Sequence, residues 1–101
     1  MNGIPDYLSI QAMKMLAIPS NFRLGTQIAK IGHVEFLQMN PMKVSAKVSG
    51  VNGSSNRTVE FIATDSGLQY RCTYSKKPGW FCKHCVAVGL ITMEKMTGET
   101  A

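Results

Sequence analysis

Acidic residues are scarce in this chain of 101 residues: six Asp and Glu stand against eleven Lys and Arg, for a formal net charge of +5. No apolar run approaches the roughly 18 residues of a membrane span, and no basic region followed by an apolar one opens the chain. The expected location is therefore the cytoplasm, the nucleoid included. Internal repeats are missing, and the Gly/Ser/Asn-rich stretch Gly50 to Asn56 is too short to link two domains, so residues 1–101 read as one small domain. Cysteine is limited to three, an odd number that in a reducing compartment favours metal binding or free thiols over disulfides. Hydrophobic content is nonetheless 45%, which places the chain among globular proteins.

All three cysteines and one of the two histidines fall between Cys72 and Cys85. Thiolate and imidazole are the ligands Zn²⁺ prefers, and a structural site closes as a tetrahedron of four. Cys72, Cys82, His84 and Cys85 are the candidate ligands. Lys77-Pro78-Gly79 has the composition of a tight turn that folds Cys72 back onto the others. The apolar run from Val86 to Ile91 continues as a helix, expected from about Cys82 to Met96. Its first turn sets Cys82 and Cys85 three residues apart on one face. Val86, Ala87, Leu90 and Met93 are its core-facing positions.

The segment between Arg71 and Lys83 contains no acid. It interleaves Arg71, Lys76, Lys77 and Lys83 with Tyr70, Tyr74, Trp80 and Phe81, as a single-strand nucleic-acid surface requires: cations for phosphates and rings for base stacking. The alternative is that Trp80 and Phe81 pack under the metal site while the lysines are solvated. Arg71, Tyr74, Lys76, Lys77, Trp80 and Lys83 are the candidate partner-binding residues. With no acid inside the segment, the nearest being Asp65 and Glu94, a hydrolytic zinc site would have no general base of its own, and no enzyme activity is expected.

The rest of the chain gives an α+β fold. Residues 1–5 read as a loose lead-in. Ile10, Met13, Leu16 and Ala17 recur at helical spacing, with Asp6 or Ser9 as cap and Pro19 as stop. A second helix follows from Ser20 through Phe22, Ile28 and Ile31 to Gly32, while Met13, Met15 and Met39 are read as core filler. The period then changes to two. Val34, Phe36 and Gln38 form one alternating face; after the Asn40-Pro41 turn Val44, Ala46 and Val48 form the next, opposite Lys43, Ser45 and Lys47. Val59, Phe61 and Ala63 give a third strand. Beyond Asp65-Ser66-Gly67, Leu68, Tyr70 and Cys72 give a fourth. The expected architecture is two N-terminal helices, a four-stranded antiparallel sheet and a C-terminal strand-knuckle-helix finger. His33 is read as a surface residue away from the metal.

The string Gly79-Trp80-Phe81-Cys82-Lys83-His84-Cys85-Val86-Ala87-Val88, preceded by Cys72-x-Tyr74 and a seven-residue spacer, resembles the SWIM zinc finger, whose pattern is C-x-C, spacer, C-x-H. Phe22-Arg23-Leu24-Gly25, Ile31-Gly32-His33-Val34, the strand ending Val48-Ser49-Gly50, and Arg57-Thr58-Val59 are similar to the lead-in of bacterial members. The likeness covers about residues 19 to 93, the finger itself lying within 57–96, and its specific part is the Cys-Lys-His core. It implies a Zn²⁺ cofactor and a DNA or protein partner, often within a remodelling or recombination complex. The family's second cysteine is Tyr74 here. That leaves three readings open: Cys85 takes its place, a water or outside ligand completes a weak site, or the metal is lost and a protein-interaction domain remains. On the strand's alternation a cysteine at 74 would share the face of Cys72, so Tyr74→Cys is expected to tighten Zn²⁺ binding, and an unchanged affinity would count against this geometry.

Overall fold

A computed structural model describes residues 3–31, 34–49, 56–73 and 81–97 of the chain. In order these form α1 (Ile4–Tyr7), α2 (Ile10–Leu16), α3 (Pro19–Ile31), β1 (Val34–Asn40), β2 (Lys43–Ser49), β3 (Asn56–Thr64), β4 (Gly67–Cys72) and α4 (Lys83–Thr97). The strands make one antiparallel sheet in the order β1-β2-β3-β4, so the fold is α+β as the hydropathy pattern implies. Among the described residues no helix is long and apolar enough to cross a membrane.

Strict alternation decides which side of the sheet is covered. Val44, Ala46 and Val48 of β2, Val59, Phe61 and Ala63 of β3, and Cys72 of β4 are buried on one face. α4 lies against that face and is buried continuously from His84 to Leu90. The remaining helices close over it. Gly89 of α4 is the contact point with α2, where an added Cβ would stand 2.7 Å from Met13 Sδ. The crossing with α3 is tighter still: a Cβ at Gly25 would meet Val86 Cβ at 2.4 Å and the Lys83 carbonyl oxygen at 2.6 Å. Only a residue with no side chain allows this approach.

The other face of the sheet carries charge. Glu60 of β3 pairs with Arg71 of β4 at 2.6 Å and with Lys43 of β2 at 3.9 Å. Glu35 stands opposite Lys47 in the β1–β2 register. The basic outer side of β2 is thus largely balanced by its neighbours.

Several local expectations are corrected. The N-terminal lead-in is not loose: Ile4 is fully buried, its amide donates to the Pro41 carbonyl, and Tyr7 Oη donates to the Thr64 carbonyl at 2.7 Å. With Pro5 in its first turn and Asp6 accepting from the Gly3 amide at 2.8 Å, this segment is a short third helix ahead of the sheet. Ser9 is the cap of α2, its Oγ accepting from the Ala12 amide at 3.0 Å, and that helix ends at Leu16. The helix thus ends ahead of Pro19 as expected, and Pro19 also opens α3, one residue before the expected start at Ser20, where its missing N–H costs nothing. The β1 alternation breaks after Phe36, because Leu37 is an extra residue in the ladder. Phe36 pairs with Ala46 and Gln38 with Ser45, which turns Met39 inward in place of Gln38. Met13 is buried as expected, whereas Met15 is 87% exposed. Gly32, the expected helix end, His33, the expected surface residue, and residues 50–55 of the expected loop lie outside the described residues, while Asn56, read as the end of that loop, opens β3.

Candidate metal centre

Cys72 is the last residue of β4. Its inward phase follows from Leu68 and Tyr70, and it stands opposite Val59. Pairing runs one step further, with the Thr73 amide donating to the Thr58 carbonyl at 3.1 Å and the Thr58 amide to Thr73 Oγ1 at 3.0 Å. The strand is therefore held on both sides of the cysteine.

Cys82 occupies the N-cap of α4, its carbonyl accepting the first helical hydrogen bond from the Val86 amide at 3.0 Å. Phe81, immediately before it, is 1% exposed. Its ring stacks on Phe61 with centroids 6.0 Å apart and takes Tyr70 edge-on at 4.9 Å. Phe81 belongs to the core, which settles the choice between rim and packing for this ring in favour of packing. The three rings dock the start of α4 onto β3 and β4, beside Cys72. That support is foreshadowed in the sequence by the inward phase of Phe61 and Tyr70 and by the reading in which Phe81 packs under the metal site.

The donor atoms of Cys72, Cys82 and His84 all lie within 4.8 Å of one another, and all three residues are buried. Cys82 Sγ stands 3.8 Å from His84 Nδ1 and 3.8 Å from Cys85 Sγ. For Zn²⁺ with sulfur at about 2.3 Å, the edge of a tetrahedron is about 3.8 Å, so these separations match or exceed the coordinated spacing by at most about 1 Å. Side-chain rotation covers such a difference. The three cysteines are free thiols. The donors are soft sulfur and borderline imidazole, the set that suits Zn²⁺ rather than Ca²⁺ or Mg²⁺.

Electrostatics inside the cluster fall unevenly. Side-chain hydrogen bonds from Cys72 and then Cys85 hold Cys82 well below the ordinary thiol range, against the opposing effect of burial, with His84 adding to the stabilisation. Cys85 is pushed far up by its hydrogen bonds to Cys72 and Cys82 and by burial. The Cys82 thiolate is thus stabilised while Cys85 is held in its protonated form, and a divalent cation in the cluster would take over the role of that proton.

Of the remaining predicted site residues, Arg71 and Lys83 are described. Arg71 points to the outer face of the sheet, away from Cys72, and is paired with Glu60. Lys83 is half-buried in the first turn of α4. Tyr74, Lys76, Lys77 and Trp80 lie outside the described residues. Gly25 was not foreseen as a site residue, yet its close packing on the Lys83 carbonyl sets the height of the turn that carries His84 and Cys85. Comparison with protein-family models, with curated proteins and with solved structures finds no match to this chain.

Proposed function

We propose that the chain is a non-catalytic zinc-binding module in which Zn²⁺ joins the end of β4 to the first turn of α4, and that the domain so fixed binds DNA or a partner protein. The observation that carries this reading is the convergence of two sulfurs and an imidazole nitrogen within 4.8 Å inside an otherwise apolar core. Cys72, Cys82 and His84 are three ligands. Cys85, fully buried with its sulfur 3.8 Å from that of Cys82, is the fourth, standing in for the position that Tyr74 fills in the SWIM-like pattern. A small core gains most from such a staple, because metal binding to a site that exists only in the folded state adds directly to folding stability.

Elemental analysis of freshly purified protein should find about one Zn²⁺ per chain, and an alkylating reagent should reach the cysteines only after chelation. Metal-free protein whose thiols react identically with and without chelator overturns the reading. A second reading is favoured by the exposure of Cys82 and Cys85, 1% and 0%, which is also where inert core thiols sit. On that reading the domain is a metal-free protein-interaction module, and the same two measurements separate the cases.

The partner class is tested by salt. Four phosphate contacts on a single strand would cost roughly 50-fold in affinity between 50 and 200 mM salt. The pairing of Arg71 and Lys43 with Glu60 engages two cations of the sheet's outer face, so phosphate contacts would fall to other basic residues, Lys76 and Lys77 among them. No binding at the lower salt leaves a protein as the partner.

A further inference from the structure

Cys82 and Cys85 occupy the N-cap and third positions of α4. Ideal helix geometry places Cα atoms three residues apart at about 5 Å, inside the range of roughly 4.4–6.8 Å that a disulfide spans. The sulfurs already touch at 3.8 Å. A bond of about 2.05 Å needs only rotation about the two side chains, with no backbone rearrangement. Cys72 is differently placed, at the end of β4, so a bond from it would tie strand to helix.

We propose that Cys82 and Cys85 form an oxidant-responsive dithiol, converted by a hydroperoxide to an intrahelical disulfide that dismantles the metal centre. This rests on the zinc-binding reading above. The sulfur of one cysteine attacks the terminal oxygen of the peroxide, breaking the O–O bond and leaving a sulfenic acid and water. The second sulfur then attacks the first, the S–O bond breaks, and a second water leaves. With hydrogen peroxide the balance is two metal-bound thiolates, one peroxide and two protons from solvent giving one disulfide, two waters and the released cation, the two electrons coming from sulfur. The cation itself undergoes no redox change. The disulfide removes two of the four ligands, leaving Cys72 and His84, and the cation dissociates. α4 stays formed, because the bond lies within its first turn, but its tie to β4 is gone. A thiol reductant together with Zn²⁺ restores the starting state.

The experiment treats purified full-length chain with hydrogen peroxide. Cation content is measured beforehand, release is followed with a chromogenic chelator, and cross-links are mapped by mass spectrometry. The expected result is release in step with a Cys82–Cys85 bond, reversed by dithiothreitol and Zn²⁺. In Cys85→Ser the bond cannot form, and sulfenic acid should accumulate on Cys82, where dimedone traps it. Release with no 82–85 cross-link, or a cross-link involving Cys72 instead, overturns the proposal. If the chain carries no cation before oxidation, the zinc reading fails. The dithiol is then judged separately by whether the metal-free chain forms the same bond.

Discussion

Cys72→Ser should lower the affinity for Zn²⁺ by about 1,000-fold or more and, in saturating Zn²⁺, lower the midpoint of thermal unfolding by roughly 15–30 °C. The magnitude follows from linkage. A cation present at about a thousand times its Kd and bound only by the folded chain contributes about 4 kcal/mol. For a domain of about 100 residues each kcal/mol corresponds to roughly 4–8 °C. Loss of the thiolate at the end of β4 removes the only ligand that the sheet supplies, so the remaining ligands no longer bridge two elements. A buried thiol that serves merely as packing predicts less. Replacing it with a hydroxyl whose hydrogen bonds are imperfectly met costs about 1–3 kcal/mol, and chelation has no effect on either protein. Calorimetry with and without chelator therefore decides. Wild type should lose most of its advantage over the variant when the cation is removed, whereas the variant should respond little. Indifference of the wild type to chelation would remove the metal from the account.

The second large effect is expected at a residue with no side chain. Gly25→Ala should destabilise the fold by about 2–3 kcal/mol and weaken Zn²⁺ binding as well. Helix propensity alone argues the reverse, since alanine is favoured over glycine inside a helix by about 1 kcal/mol and Gly25 lies well within α3. The decisive quantity is space. The new methyl would meet Val86 Cβ at 2.4 Å and the Lys83 carbonyl at 2.6 Å, closer than real carbon contacts come. A carbonyl inside a helix cannot swing away as a lysine tail could. α3 and α4 must separate, and the turn that moves carries His84 and Cys85. The two arguments have opposite signs, so one denaturation curve distinguishes them, and a stabilised Gly25→Ala would show that the crossing is looser than described.

How far the sequence could be read depends on where each instruction is written. β2, β3 and β4 are legible residue by residue, because a strand with one buried face repeats every second position and a slip by one reverses every side chain. That phase also placed Cys72 inward, and with the spacing of Cys82, His84 and Cys85 it made the cluster readable before any coordinates. β1 is legible only to Phe36: nothing in Phe36-Leu37-Gln38 announces an extra residue, which depends on the partner strand. Pro19 carries two meanings, the end of one helix and the start of the next; both hold here, and the sequence-based expectation covers only the first. The anchoring of Ile4 and Tyr7 is invisible because their partners, the Pro41 carbonyl for Ile4 and the Thr64 carbonyl for Tyr7, are some 40 and 60 residues distant in sequence. Gly25 is the extreme case, a position whose value lies in what it leaves out.

The displaced residue of β1 bears on behaviour at high concentration. β1 is an outer strand of the sheet, and among the described residues no strand pairs with its other side, the side on which an edge strand offers amides and carbonyls to another extended chain. Leu37, exposed and out of step with its neighbours, interrupts that row midway, so an incoming strand finds no continuous ladder to join. On this side the protein is guarded against fibrous self-association by irregular backbone rather than by repulsive charge.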